Sequence, residues 1–160
     1  MTRKELLIRE NRGRRERGKY AEALSIILNR TISDSDFVDL TASDEVCKSF
    51  FDTYKMKSNE SKKVYPKDHV EDLKRALISN EVNFRDIELY LISKQTNYCG
   101  CVKISFSEII DCFSELIELD KDSLFLCSKD SDYGLGIDSY EEYDGGFIGY
   151  YYELVIWKSE

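Results

Sequence analysis

Carboxylates are the commonest reactive side chains in this sequence, and they are densest toward its C-terminus. Glu141, Glu142 and Asp144 fall within four residues of one another, next to two glycines. Two carboxylates that face each other across a cleft, in different environments, can act as acid and base in glycoside hydrolysis. Neighbouring acids in a glycine-rich segment are more often solvated, so the spacing favours a charged surface over a catalytic pair.

Two glycines in the same region could suggest a phosphate-binding loop. A phosphate cradle needs a longer glycine pattern and a lysine or helix N-terminus, and Gly134 and Gly136 have neither beside them. The flanking Asp130, Asp132 and Asp138 would repel a phosphate, so we predict a turn here. These aspartates lack the ligand order of an EF-hand, which leaves only weak calcium binding open. We therefore predict no resident metal and no cofactor.

Histidine and cysteine do not form a recognisable catalytic or metal-binding motif. The single histidine, His69, has no partner pattern of a nucleophile or a zinc site. Cys99 and Cys101 are the only closely spaced thiols, and their spacing is not that of a Cys-x-x-Cys site. The cysteines are odd in number and lie mostly in apolar segments: Cys47, Cys99, Cys101, Cys112 and Cys127. This usage predicts reduced, structural thiols and a cytosolic protein.

Charge is distributed unevenly along the 160 residues. Residues 1–20 hold eight basic and three acidic side chains, whereas the other 140 hold 15 basic and 28 acidic ones. An acidic body repels the nucleic-acid backbone and attracts basic proteins. The basic segment 1–19 could bind RNA, but it lacks interleaved aromatic residues, so docking onto the acidic body or simple solvation is favoured.

Tyrosines and acids are interleaved between residues 130 and 153, which hold six of the eleven tyrosines. Tyrosine is a frequent anchor of protein interfaces, and carboxylates orient a cationic partner. The same composition also suits a strand followed by a solvated loop, so both interpretations stay open. The predicted partner-binding residues are Asp130, Asp132, Tyr133, Asp138, Tyr140, Glu141, Glu142, Tyr143 and Asp144. A second candidate surface is the acidic helix face of Asp111, Glu115 and Glu118.

The hydrophobic pattern predicts an α+β fold in a single domain, residues 1–160, in which residues 1–19 form a basic helical arm. Helices are expected over residues 3–29, after Ser43 and from Pro66, with a mobile loop over residues 55–64. A ββαββ unit follows, with helices packed on a mainly antiparallel sheet. Its predicted strands are residues 87–94, 99–105, 124–128 and 147–157, and residues 129–146 are expected to form a loop.

Two finer features of this unit follow from the residue order. Ser105 and Glu108 have the spacing of a capping box, which predicts a helix from there to about residue 119. In the last strand, Tyr150 and Tyr152 should face one side and Tyr151 the other. No apolar run approaches the roughly 20 residues of a membrane span, and no secretory signal pattern is visible, so a cytoplasmic location without membrane contact is expected.

The last quarter of the chain resembles the immunity proteins of bacterial polymorphic-toxin and contact-dependent growth-inhibition systems. The resemblance lies in its acidic, tyrosine-rich segments, Tyr133-Gly-Leu-Gly-Ile137, Tyr140-Glu-Glu-Tyr143 and Tyr150-Tyr-Tyr-Glu-Leu-Val-Ile-Trp157. It implies a cytoplasmic inhibitor that binds one cognate toxin domain, often a basic nuclease, and covers its active site. Such proteins share no single fold and carry no catalytic residues. Two alternatives remain: a small hydrolase or transferase using the acidic segment, and an RNA-associated module using the basic arm.

Overall fold

The computed structural model describes residues 1–159. Its helices are α1 (Arg3–Leu28), α2 (Leu40–Glu60), α3 (Val70–Asn80), α4 (Thr96–Cys99), α5 (Phe106–Ile110) and α6 (Phe113–Asp120). Its strands are β1 (Lys63–Pro66), β2 (Leu89–Ile92), β3 (Val102–Ile104), β4 (Ser123–Cys127), β5 (Tyr133–Tyr143) and β6 (Phe147–Lys158). Among these residues, none of the helices combines the length and apolarity that a bilayer span requires.

The strands form one antiparallel sheet in the order β1-β6-β5-β4-β2-β3. The chain is therefore α+β, with helices first and most strands later, as predicted. Successive residues of a strand point to opposite faces, so each strand contributes to two separate cores. We call these two sides of the sheet the α1 face and the α2 face.

The α1 face holds the larger core. Tyr20 and Leu24 of α1 pack there with side chains from α3, α5 and α6. The sheet side of this core is fully buried and aliphatic: Leu89, Leu124, Leu126, Leu135 and Ile137. Burying a side chain of this size from water stabilises the fold by about 1.5–3 kcal/mol, which makes this core the main source of stability.

The α2 face holds a smaller core rich in aromatic rings. Phe50 of α2 is fully buried, and its ring centroid lies 5.7 Å from that of Trp157 and 5.4 Å from that of Tyr54. Gly134 and Gly136 of β5 lie under these rings: a Cβ atom would come within 2.0 Å of Trp157 and 2.3 Å of Tyr54, respectively. The predicted turn at these glycines is therefore wrong, because they are strand residues that leave room for aromatic packing.

The N-terminal basic segment is part of a continuous helix that packs on the body. Thr2 and Glu5 form a capping box at the start of α1. Arg9 makes a two-pronged ion pair with Asp44 of α2, at 2.7 and 2.8 Å. The guanidinium of Arg12 lies 3.8 Å from the ring centre of Tyr98. Cations of this segment thus bind the body directly, which is one of the two outcomes that the sequence left open, whereas Arg14 and Arg15 are exposed.

Helix α2 differs from its prediction at both ends. It begins at Leu40 with Asp39 as its cap, because the Asp39 carboxylate accepts a hydrogen bond from the Ala42 amide at 2.9 Å. Ser43 is instead buried inside the helix, where its hydroxyl accepts from the Cys101 amide at 2.8 Å. The helix then continues to Glu60, so the loop predicted over residues 55–64 is wrong.

Strand β1 explains why the third helix does not begin at Pro66 as predicted. Lys63–Pro66 pairs with β6 at the edge of the sheet, and Pro66 ends the strand instead of beginning a helix. An edge strand tolerates proline because one side of its backbone needs no partner. The third helix starts four residues later, at Val70.

The later elements follow the prediction with three changes. Ser105 and Glu108 form the predicted capping box, in which the Ser105 amide donates to the Glu108 carboxylate at 2.8 Å. The helix behind it is broken at residues 111–112 into α5 and α6. The turn expected after β2 is the one-turn helix α4, and most of the loop predicted over residues 129–146 is strand β5.

Candidate partner-binding hairpin

Strands β5 and β6 form a hairpin that is longer than its neighbours in the sheet. Strand β4 pairs with β5 only as far as Asp138, and β1 pairs with β6 only as far as Tyr151. Beyond these points, β5 and β6 pair with each other, apart from the Ser139 amide, which donates to the Asp122 carbonyl at 2.8 Å. Residues 139–143 of β5 therefore extend about 17 Å past the last rung of the β4 ladder, at about 3.3 Å per residue. We call residues 138–153 the acidic hairpin.

The tip of the acidic hairpin has a defined backbone. The pairing shifts from Glu142–Gly149 to Tyr143–Phe147, so Ile148 is an extra residue that forms a bulge. The Asp144 amide donates to the Gly146 carbonyl at 3.0 Å, and Gly145 has a φ of 68°, which glycine adopts without strain. Bulges increase the twist of a hairpin and re-aim its side chains.

One side of the hairpin continues the α2 face. Asp138, Tyr140 and Glu142 alternate along β5 on this side, opposite Glu153, Tyr151 and Gly149 of β6. The rings of Tyr140 and Tyr151 stack, with centroids 5.6 Å apart and planes 24° apart. Cross-strand aromatic pairs of this kind stabilise a two-stranded ribbon by about 0.2–1 kcal/mol.

The other side continues the α1 face and carries the remaining tyrosines. The Tyr143 hydroxyl donates a hydrogen bond to the Glu141 carboxylate. The ammonium of Lys67 lies 5.1 Å from the ring centre of Tyr150 and 5.2 Å from that of Tyr152. Tyr150 and Tyr152 thus share one side and Tyr151 lies on the other, which confirms the predicted alternation.

The hairpin is negatively charged and partly apolar at its surface. Residues 138–153 contain five carboxylates and neither lysine nor arginine. Glu141, Glu142 and Asp144 are exposed. Tyr143 is 63% exposed and Ile148 52% exposed, so large apolar side chains lie among the acids. A surface that combines exposed aromatic rings with charge of one sign is typical of a protein-binding site.

The base of the hairpin is attached to helix α2 through one hydrogen bond. The Tyr54 hydroxyl donates to Asp138 Oδ2 at 2.8 Å. Burial raises the pKa of Asp138, and the nearby Glu153 and Asp122 add to this, whereas the bond from Tyr54 opposes it. Asp138 is therefore partly buried and hydrogen-bonded to a helix, whereas Glu141, Glu142 and Asp144 are exposed.

The structure separates three of the predicted site residues from the rest. Asp130, Asp132 and Tyr133 lie at the opposite end of β5, about 30 Å from Tyr143 along the strand. Asp130 accepts hydrogen bonds from the Ser128 hydroxyl and the Asp132 amide, at 2.9 and 3.2 Å, which shapes the β4–β5 turn. These three residues cannot contact the same small surface as the hairpin tip.

The second predicted surface lies on the α1 face. Glu115 and Glu118 are exposed on α6, and Asp111 is exposed at the α5–α6 junction, where its carboxylate lies 3.2 Å from the Lys74 ammonium. Glu118 is close enough to Tyr152 to raise its pKa, although burial is the larger cause. This helix therefore borders the base of the acidic hairpin.

Residues outside the predicted set also shape the hairpin. Tyr54 and Lys67 approach it from α2 and from the turn before α3, and Lys62 lies 3.6 Å from Glu153. Tyr54 belongs to the apolar stripe of the second helix, which is visible in the sequence, but its contact with β5 is not. The Lys62 and Lys67 contacts depend on β1, which sequence patterning did not detect.

The rest of the described chain offers a pocket but no metal-ligand cluster. Within residues 1–159, no three or more His, Cys, Asp or Glu side chains are grouped to hold a metal ion. A pocket of about 290 Å³ lies between α1, α6 and the β2–α4 connection. Tyr20, Ser93 and Asp120 are among its lining residues.

Comparison with known proteins adds no relative. Neither a protein-family model, nor a curated protein, nor a solved structure matches this chain.

Proposed function

We propose that this chain is an immunity protein that binds one cognate toxin domain, a basic nuclease, in the cytoplasm and blocks its active site. The acidic hairpin is the proposed contact surface. Three properties of the hairpin support this proposal: its charge, its exposed aromatic rings and its ordered backbone.

The charge of the hairpin suits a nuclease as partner. A nuclease active site attracts polyanions, and residues 138–153 contribute five carboxylates and neither lysine nor arginine, although Lys62 pairs with Glu153 at the base of the hairpin. The exposed acids of the tip can therefore occupy the same site. Complementary charge also speeds encounter and discriminates against other partners. Glu141, Glu142 and Asp144 are exposed, and Glu141 also accepts a hydrogen bond from the Tyr143 hydroxyl, so all three carboxylates lie where a cationic surface can reach them.

The exposed side chains at the tip provide the contact area that charge alone does not. Tyr143 and Ile148 project from a backbone that is already fixed by pairing and by the bulge. Tyrosine loses little conformational entropy on binding, since it has only two side-chain torsions. The Tyr140–Tyr151 stack and the Tyr54–Asp138 bond further order the hairpin before binding.

The single observation that carries the proposal is the two-stranded extension of β5 and β6 past their neighbours. The sheet gains little core from this segment, because none of residues 139–146 and 148–150 is buried. A long, exposed ribbon with tyrosines and acids is therefore better explained by recognition than by folding. The RNA alternative has less support, because Arg9, Arg12 and Arg17 of the basic arm already contact groups of the body.

The experiment is capture followed by reconstitution. The tagged full-length chain is purified from cells that express it naturally, and the protein that co-purifies is identified and produced alone. We expect a basic protein that forms a one-to-one complex, and whose enzymatic activity falls to zero at equimolar addition of this chain.

Two results would contradict the proposal. One is a partner that keeps its full activity in a saturated complex, which would indicate binding without inhibition. The other is catalytic turnover by this chain that is lost on Asp138→Asn or Glu141→Gln substitution, which would favour the hydrolase or transferase alternative.

A further inference from the structure

A pair of thiols lies where helix α2 meets the segment before β3, away from the acidic hairpin. The Ser43 hydroxyl binds the Cys101 amide at 2.8 Å, and Cys47 is one helical turn after Ser43 on the same side of α2. Cys47 therefore lies next to Cys101, in the α2-face core that also contains Cys127. All five cysteines are free thiols.

The two thiols differ in their access to solvent. Cys101 is fully buried, whereas Cys47 is half-buried. Cys47 lines an open pocket of about 380 Å³, together with Phe51, Ile92, Asn97 and Phe125. A small reagent in this pocket reaches Cys47 without unfolding the chain, and Cys47 also packs against the buried cluster that contains Cys101.

The surroundings of Cys47 favour its thiolate. The hydrogen bond with the Cys101 thiol lowers the pKa of Cys47, and the Arg9 guanidinium adds to this, although partial burial and Asp44 oppose it. The thiolate is the reactive form of cysteine, and exposed thiols of low pKa are the ones that peroxides oxidise. By contrast, burial raises the pKa of Cys112 to about 11 and keeps that thiol protonated.

We propose that Cys47 is a site of reversible oxidation by hydroperoxides and that Cys101 converts the oxidised form to an internal disulfide. This inference goes beyond the proposed function and does not depend on it.

The chemistry needs only the two thiols and the peroxide. The Cys47 thiolate attacks the peroxide, so that an S–O bond forms and the O–O bond breaks. The leaving oxygen takes up a proton. In this step the sulfur loses two electrons and the peroxide gains them. The Cys101 sulfur then attacks the Cys47 sulfur, the S–O bond breaks, and the hydroxide leaves as water with the proton of Cys101. The hydrogen bond with Cys47, burial and the charge of the Cys47 thiolate all raise the pKa of Cys101, and oxidation of Cys47 removes the charge. A low-molecular-weight thiol restores both cysteines.

The test is peroxide treatment of the folded full-length chain, followed by alkylation of the remaining thiols and peptide mass mapping. We expect five alkylated cysteines before treatment and three after it, with the Cys47 and Cys101 peptides joined and lighter by two hydrogens. Treatment with a dithiol should restore all five.

Variants separate the roles of the two residues. In Cys47→Ser, all four remaining thiols should still be alkylated after peroxide treatment. In the control Cys127→Ala, the joined Cys47–Cys101 peptide should still form. A bridge between Cys47 and Cys127, or five unchanged thiols after treatment of the native chain, would overturn the proposal. Because the mapping on the unsubstituted chain decides this, the result does not depend on how well the variants fold.

Discussion

The Tyr54 hydroxyl donates a 2.8 Å hydrogen bond to Asp138 Oδ2 at the last rung that β5 shares with β4. This bond joins helix α2 to the base of the acidic hairpin, where burial opposes ionisation of the carboxylate. It therefore links the stability of the α2-face core to the placement of the surface that we propose binds a partner.

Removing this hydroxyl should weaken the fold moderately. Tyr54→Phe leaves the ring packing in place and removes one partly buried hydrogen bond, so we expect a loss of about 1 kcal/mol in the free energy of unfolding. Denaturant unfolding measures it. The double variant with Asp138→Asn should lose less than the sum of the single variants. Strict additivity would show that the two side chains do not interact.

Asp138 should make stability depend on pH in a defined direction. Its pKa is raised in the folded chain, so between its ordinary value near 4 and its folded value the native state holds more protons than the unfolded one. The contribution of Asp138 to stability is then most favourable at low pH and declines as pH rises. Tyr54, Glu153 and Asp122 are the titratable groups around it.

The comparison that isolates this effect is Asp138→Asn. Relative to the unsubstituted chain, the variant should become more stable as pH rises from about 4 to 7, because it carries no charge to bury. Urea unfolding at several pH values measures the difference. A difference that stays constant over this range would contradict the environment assigned to Asp138.

Arg30 should stabilise the fold mainly above pH 4. Its guanidinium contacts Asp36, at 3.1 Å, and Glu108, and it donates to the Lys103 carbonyl at 3.0 Å. Hydrogen bonding from the Ser33 amide and from Arg30 lowers the pKa of Asp36. Burial opposes ionisation of Glu108, but hydrogen bonds from Ser105 and Arg30 outweigh it and lower its pKa. Asp36 and Glu108 therefore stabilise the fold at pH values above their pKa in the unfolded chain. This stabilisation is lost as pH falls through their lower pKa in the folded chain.

The corresponding variant is Arg30→Met. We expect a loss of about 1–3 kcal/mol at pH 7 that shrinks as pH falls below about 4. Arg75→Met is the matched control, since its 2.6 Å pair with Asp72 is exposed and should contribute no more than about 0.5 kcal/mol. Equal losses of stability in the two variants would contradict the claim that the partly buried contacts of Arg30 contribute more than the exposed Arg75–Asp72 pair.

The docking of α1 can be tested with two glycines of the same helix. A Cβ atom at Gly13 would lie 2.0 Å from the Tyr98 carbonyl oxygen, whereas one at Gly18 would meet nothing within 4 Å. Gly13→Ala should therefore cost about 1–3 kcal/mol of stability, and Gly18→Ala should add about 0.5–1 kcal/mol. Thermal unfolding compares them. If Gly13→Ala is as stable as Gly18→Ala, the basic helix does not pack on α4.

Local patterning predicted the fold class but not the contacts that build the hairpin. The capping box of Ser105 and Glu108, and the alternation of Tyr150 to Tyr152, involve residues close in sequence, and both are confirmed. The pattern around Gly134 and Gly136 predicts a turn because glycine is common in turns. Only the distant rings of Trp157 and Tyr54 explain why β5 needs these two glycines.

Sequence order predicts only in part which of the candidate residues lie together, for the same reason. Glu141, Glu142 and Asp144 are neighbours in sequence and share the hairpin tip. Asp130 and Asp132 precede Glu141 by only 11 and 9 residues, but the extended strand β5 carries the chain away from them. Since the length of β5 is set by its pairing with β6, the separation follows from long-range register and not from local composition.

The central claim is that the acidic hairpin binds a basic partner, and the most direct test is the association rate of the reconstituted complex. The variant Glu141→Lys/Glu142→Lys/Asp144→Lys is compared with Glu22→Lys/Glu45→Lys/Asp52→Lys, which changes net charge equally at exposed positions of α1 and α2. We expect the hairpin variant to associate at least about tenfold more slowly at low salt, with a weaker salt dependence, and the control to differ little. Equal rates and equal salt dependence in the two variants would contradict the account.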